Sequence, residues 1–277
     1  MTHHTLEFKE SKEPKVIFED ESLLVLNKPA GITVNKSDTT KGEKTVQDWV
    51  DSHYVILNGV KDPGSNDLPA GKAGMLNQVQ HDNGEERSGF TSRSGIVHRL
   101  DKETSGILLV AKNQEAFENL QQQFKERRVK KVYTALVHGK VVPGDGEIRV
   151  PVGRLPWNRK RFGVVAGGRE AVTKYHVLSI MYHVLDKKKE QLSILELYPE
   201  TGRTHQIRVH LKHIGHPIFS DSLYAGRKTA RDDRKVLSRM FLHASKISFQ
   251  HPKTEKNISF ESSLPGDLDS FLKILQS

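Results

Sequence analysis

Ile107-Leu108-Leu109-Val110-Ala111 is apolar at every position. A strand with one wet face alternates apolar and polar residues. A run without alternation fits a strand covered on both faces, so its sheet needs a layer of structure above and below. Just before it comes a dense polar segment, His98, Arg99, Asp101, Lys102, Glu103, Thr104 and Ser105, closed by Gly106 and preceded by the apolar Gly95-Ile96-Val97. A loop rich in ionisable groups is thus pinned between two strand-like pieces. Catalytic side chains are commonly carried this way, although an ordinary surface turn has the same composition.

The flanking chain supplies both strands and helices. Val16-Ile17-Phe18 and Leu23-Leu24-Val25-Leu26 about the turn-like Glu19-Asp20-Glu21 predict a hairpin, ended by Asn27-Lys28-Pro29-Ala30-Gly31. Lys28 there is open to two readings, a phosphate contact or a solvated lysine beside a turn. Thr45 with Asp48 reads as a helix cap, and Val46, Trp49, Val50 and His53 share one face, which predicts a helix over 45–54. Residues 56–94 repeat Gly and Pro without a helical or strand period, and a loop this long inside a compact domain is either functional or disordered. Residues 1–15 are expected to be a flexible tail. Asn113 caps a helix carrying Phe117, Leu120 and Phe124 at helical spacing.

Charge narrows the partner. Lys and Arg number 43 against 34 Asp and Glu, a net +9, which points to a polyanion. Lys125, Arg127, Arg128, Lys130 and Lys131 crowd one helix end, more than the helix dipole needs. Arg154, Arg159, Lys160, Arg161, Arg169 and Lys174 are interleaved with Trp157 and Phe162, a mixture suited to the phosphates and bases of single-stranded RNA, or else a basic hairpin loop. Strands over 171–180 and 191–198 follow. Ile207, Leu211 and Ile214 then mark a helix ended by Gly215 and Pro217. On that reading Arg203 lies at the helix start, and Arg208 sits roughly 140° around the axis from it. Both cannot face one carboxylate. A strand over 241–249 and a last helix with Leu268, Phe271, Leu272 and Leu275 complete an α+β pattern.

No run of apolar residues reaches transmembrane length, and the N-terminus lacks an apolar signal core. With no cysteine there is neither a disulfide nor a thiolate metal site. His205, His210, His213 and His216 lack an acidic ligand at metalloprotease spacing, so no metal is expected. A soluble, cytoplasmic monomer is the expectation.

His98-Arg99-Leu100-Asp101 with Thr104-Ser105-Gly106, NKPAG at 27–31, KVYTALVHG at 131–139, ETGRTHQIRVHLKHIGHPIFSD at 200–221 and FLHASKISFQHPKT at 241–254 together resemble the signatures of the RluA family of pseudouridine synthases. The resemblance spans nearly the whole chain apart from the tail and residues 56–94, where the family has a much shorter connection, which implies a mobile insertion at 56–94. It implies a pseudouridine synthase catalytic fold over 16–277, built on a mixed, largely antiparallel sheet with an RNA cleft. No S4-like RNA-binding domain is expected ahead of the first strand. The implied reaction isomerises uridine to pseudouridine in ribosomal RNA or tRNA without a cofactor. Asp101 is then the catalytic residue, Arg203 its charge partner, and Tyr133 the aromatic that stacks on uracil. Arg99 fills the stack when the base flips out. His98, Lys131, Arg159, Lys160, Arg161, His205 and Arg208 are expected to contact RNA. Two other classes fit parts of the pattern. One is an RNA-binding module without turnover. The other is a glycosidase, which needs a second carboxylate, with only Glu103 near.

Overall fold

The computed structural model describes residues 12–37, 40, 42–54, 89–185 and 188–276, with the side chains of 159, 160 and 183–189 outside the description. The first elements are β1 (Lys15–Glu19), β2 (Leu23–Lys28), α1 (Val46–His53), the short α2 (Gly89–Ser92), β3 (Ser105–Ala111), α3 (Gln114–Lys125) and β4 (Lys130–His138). They continue with β5 (Asp145–Arg149), β6 (Val152–Leu155), β7 (Asn158–Val164), β8 (Val172–Leu185), β9 (Lys188–Pro199), α4 (Gln206–His213), α5 (Arg227–Asp233), β10 (Leu242–Gln250), β11 (Asn257–Glu261) and α6 (Gly266–Gln276). Nine strands form one sheet in the order β1-β2-β3-β10-β4-β9-β8-β5, with β11 attached to β10. The β3–β10 pair is parallel and the other pairs of this sheet are antiparallel. The fold is therefore the expected α+β arrangement on a mixed, largely antiparallel sheet.

The unbroken apolar run becomes β3, buried at all seven positions. Ile107, Leu109 and Ala111 point with Leu23 and Val25 toward Phe117 and Leu120 of α3. Leu108 and Val110 point with Leu24 and Leu26 toward Val46 and Val50 of α1. Helices on both faces thus explain why no position alternates to polar. A third and larger cluster joins β4, β8 and β9 to α4 and α6. At the start of β3, Gly106 adopts φ +114°, and a Cβ there would lie 2.2 Å from the carbonyl oxygen of Ala244. Only glycine lets β10 approach this closely beside the polar loop.

Helix starts follow the sequence. Thr45 and Asp48 form a reciprocal capping box on α1, and the Asn113 side chain accepts from the amide of Ala116 at the start of α3. Gly215, φ +87°, follows α4. Two expectations change at the edges. The first strand begins at Lys15, inside the predicted tail; residues 1–11 lie outside the described residues. Of the segment 56–94, residues 56–88 lie outside the described residues, but its end packs into the core. Phe90 is buried edge-on against Phe117 at 5.6 Å, and Gln47 Nε2 donates to the Ser92 carbonyl. An apolar ring seated between α2 and α3 binds this end to the domain, so its composition alone misleads.

Lys28 fits neither reading offered for it. It is fully buried at the end of β2, and its ammonium donates to the carbonyls of Pro29, Ile32 and Lys102. Burial lowers its pKa to about 7. The side chain staples the NKPAG turn to the polar loop and touches no solvent.

His138, at the end of β4, holds Asp233 through Nε2 at 3.0 Å and Glu190 through Nδ1 at 2.9 Å. Burial alone would lower its pKa, but the hydrogen bonds to Asp233 and Glu190 outweigh it and raise the value to about 9. A folded pKa above the unfolded ~6.5 means stability fully present below pH ~6.5 and lost as pH rises through about 9. His138→Gln should therefore lower the melting temperature most at pH 6 and least above pH 9. A gap between wild type and variant that stays constant across this range would show an uncharged role.

Candidate active site

The polar loop, the start of β4 and the turn before α4 meet at one cleft of about 540 Å³, within the usual ~300–1,000 Å³ of small-molecule sites. Asp101, Tyr133 and Arg203 all line it, as do His98, Arg99, Lys131, His205 and Arg208. The lining holds the cations Arg99, Lys125, Arg127, Lys131, Arg169, Arg203 and Arg208 against the carboxylates Asp101 and Glu200. Glu200 is occupied by Lys174 at 2.7 Å. Asp101 is the less exposed of these two acids, 18% against 34%, in a strongly basic cleft.

The guanidinium on Asp101 belongs to Arg208, contrary to the expectation from family resemblance. Arg208 Nη1 donates to Asp101 Oδ2 at 2.9 Å. Its other face makes two parallel bonds to Asp221, Nε to Oδ2 at 2.8 Å and Nη2 to Oδ1 at 2.9 Å. The Tyr224 ring lies under it, 4.9 Å from Cζ. Burial disfavours the charge of Arg208, but the Asp221 hydrogen bonds and both carboxylates more than restore it. Arg203 instead gives its Nε to the carbonyl of Glu170 at 3.0 Å and stands at the cleft mouth. Its placement has a local cause. Gln206 Oε1 accepts from the Arg203 amide and from Thr201 Oγ1, while Gln206 Nε2 donates to the Val172 carbonyl on β8. This latch holds 201–205 as a turn, His205 adopts φ +56°, and helix begins only at Gln206. Arg203 is therefore not on the helix, and the angular comparison with Arg208 does not apply to it.

Other expected RNA contacts also resolve. Arg99 is exposed at the cleft. His98 accepts the Leu109 amide through Nε2 at 3.0 Å, and its ring lies tilted by 32° against Phe124 at 5.0 Å. Burial lowers its pKa to about 3, so it stays neutral and serves as wall, not as a phosphate-binding cation. Lys131 lies 5.9 Å above the Phe124 ring, and burial lowers its ammonium to about 8. Tyr133 is raised well above the normal phenol value by burial and by the charge of Asp101, which suits an intact phenol and not a phenolate. Arg161 is half-buried on β7, and the side chains of Arg159 and Lys160 fall outside the description. The β6–β7 hairpin reaches the site through Phe162, whose amide donates to the Tyr224 hydroxyl and whose ring meets His205 edge-on at 5.5 Å. Trp157, 79% exposed, sits in its turn.

The sequence does not single out Asp221 and Tyr224, because PIFSDSLYAG reads as an ordinary loop. The available signal was an aspartate bordered by aromatic and small residues in a chain otherwise rich in cations. Glu103, the candidate second carboxylate, is absent from the cleft lining. Arg234 Nη2 holds both of its oxygens, and the Met240 amide donates to it. Arg239 Nη1 donates to the Glu103 carbonyl. The basic stretch before β10 therefore clasps the polar loop. Among the described residues, the carboxylates lining the cleft are Asp101 and Glu200, and Glu200 is bound by Lys174.

The model of the RNA pseudouridylate synthase family matches residues 22–213. The chain belongs to this family. It is 34% identical over 261 residues to an uncharacterized RNA pseudouridine synthase of Bacillus subtilis, covering 94% of this chain and 72% of that one. It is 36% identical over 269 residues to ribosomal large subunit pseudouridine synthase D of Neisseria meningitidis, covering 94% of this chain but 61% of that longer protein. The fold is that of human RNA pseudouridylate synthase domain containing 1, with a TM-score of 0.64 at 24% identity over 96% of this chain and 90% of the other. Among the described residues of this synthase, no helix is long and apolar enough to cross a membrane.

Proposed function

We propose that this synthase isomerises particular uridines to pseudouridine in structured RNA, with Asp101 as the group that acts on the ribose. The observation that carries the assignment is the fixed carboxylate. Asp101 Oδ2 is held by Arg208, while no hydrogen bond among the described residues reaches Oδ1. An ionised oxygen thus faces a basic cleft, free either to bond to the sugar carbon or to take a sugar proton.

The reaction breaks C1′–N1 and forms C1′–C5; a proton leaves C5 and one is gained at N1. Composition is unchanged, so neither an oxidant nor an energy source is consumed. What the chain must provide is positioning and charge control. Arg208 holds the Asp101 carboxylate in place through Nη1. Tyr133 offers a ring face and a neutral hydroxyl beside it. Arg99, exposed at the rim, suits the space left by a flipped base, whose unstacking costs a few kcal/mol. Arg127, Arg169 and Arg203 at the mouth suit backbone phosphates.

The named relatives favour large-subunit ribosomal RNA as the substrate. Pseudouridine mapping across all cellular RNA, with and without the gene, tests this. We expect one or a few sites, in large-subunit ribosomal RNA, to disappear with the protein and return on complementation. Sites confined to tRNA would move the substrate, and an unchanged map would overturn the function.

A further inference from the structure

His205 carries a feature that RNA contact alone does not require. Its Nδ1 lies 2.8 Å from the Tyr224 hydroxyl, and that hydroxyl already accepts the Phe162 amide at 3.1 Å. The phenol has one proton to give, and among the described residues His205 Nδ1 is the atom placed to take it. Given there, it leaves the imidazole's own proton on Nε2. Nε2 points to Asp101 Oδ2 at 4.0 Å, too far for a direct hydrogen bond. The ring is held edge-on by Phe162 at 5.5 Å and by Tyr224 at 5.7 Å, and its backbone is fixed at φ +56° before α4. The His205 and Asp101 side chains nevertheless remain 17% and 18% exposed, so both face the open cleft.

A donor and an acceptor 4.0 Å apart, the donor with no hydrogen-bond partner among the described residues and the acceptor with room for a second bond, match a group that accepts from one and donates to the other. A hydroxyl oxygen about 2.8 Å from each atom fits that gap. Oδ2 takes one bond from Arg208 and keeps a lone pair for a second. In an internal nucleotide of RNA the 3′ and 5′ oxygens are esterified, so the ribose carries a single free hydroxyl, at C2′. We propose that His205 and Asp101 form a hydroxyl subsite that receives the 2′-hydroxyl of the target uridine, with Tyr224 setting the His205 tautomer. The subsite orients the sugar on Asp101 and rejects deoxyribose. Burial, the largest influence on the imidazole, lowers its pKa and favours the neutral ring that this role needs.

The proposal rests on the uridine-isomerase reading, and its test separates the two. The RNA modified by the wild type is synthesised with uridine or 2′-deoxyuridine at the target, and kcat/KM is measured on both. We expect the wild type to prefer uridine by about tenfold or more, one hydrogen bond's worth. His205→Asn keeps an acceptor for Tyr224 and tolerates positive φ, but places no donor at the Nε2 position. It should lose most of the preference, mainly by slowing on uridine. His205→Gln, whose amide nitrogen reaches further, should recover part of it. An equal loss on both substrates would mean a merely structural residue, and an unchanged preference would also overturn the subsite. Independently of any RNA, ¹⁵N NMR of the free wild-type protein should show His205 protonated at Nε2, and Tyr224→Phe should release the tautomer. An Nδ1-protonated ring in the wild type overturns the proposal. A wild type that modifies no RNA overturns the isomerase reading, and the NMR result still decides the tautomer.

Discussion

Asp101→Asn should abolish conversion of uridine while changing RNA affinity by less than ~tenfold, about 1.4 kcal/mol. The amide keeps the size of the carboxylate and an oxygen for Arg208 Nη1, which in the wild type donates to Oδ2 at 2.9 Å. What it loses is the negative charge at Oδ1, the oxygen left open to the cleft. An amide neither attacks a sugar carbon nor removes a proton at useful rates, and Glu200, the other acid of the lining, is engaged by Lys174. Affinity should persist because it comes from phosphate contacts made by the surrounding cations, not from Asp101. One RNA serves both assays, a filter-binding titration and a label-dependent mass shift for pseudouridine. Retained turnover in the variant would remove Asp101 from the chemistry. Binding lost in parallel with turnover would mean that the charge pair holds the cleft itself together.

Arg208→Ala should damage fold and function together. Its side chain is 8% exposed, and that of Asp221 is fully buried. Removing the guanidinium leaves Asp221 buried without its cation and Asp101 without its orienting donor. Breaking a buried pair from one side typically costs about 3–5 kcal/mol. For a chain of this size that is a fall of roughly 6–20 °C in melting temperature. Conversion should fall below detection even where the protein stays folded, because Asp101 is then free to rotate. Arg208→Lys keeps the charge but lacks the planar fork that serves both carboxylates. It should recover part of the stability and little of the turnover. Arg203→Ala is the comparison: its Nε ends on the Glu170 carbonyl at the cleft mouth, so the melting temperature should stay near the wild type. Calorimetry on the three variants decides the assignment. A larger destabilisation from Arg203→Ala than from Arg208→Ala would restore Arg203 as the structural partner of the site.

The chain's own order already contained the scaffold of the site. An apolar run without alternation implies covered faces, and β3 is covered by α3 on one side and α1 on the other. Caps at Thr45 and Asn113 act within a few residues, so they are legible locally. The polar loop from His98 to Ser105 and its resemblance to a known signature were enough to single out Asp101. Partner choice lay beyond that reach. Arg208 and Asp101 are 107 positions apart, and which arginine arrives depends on where α4 begins. That point is set by the Gln206 latch onto β8 and by a left-handed His205, neither of which leaves a periodic trace. Lys28 and His98 differ from expectation for the same reason. Lysine and histidine look alike in a sequence whether solvated or buried, and only the packed neighbours decide. Burial takes the charge from His98 and turns Lys28 inward onto three carbonyls. Local patterning determined many of the elements and marked the polar loop, and the family resemblance implied the sheet and the role of Asp101; the long-range electrostatics of a closed interior decided which charges work together.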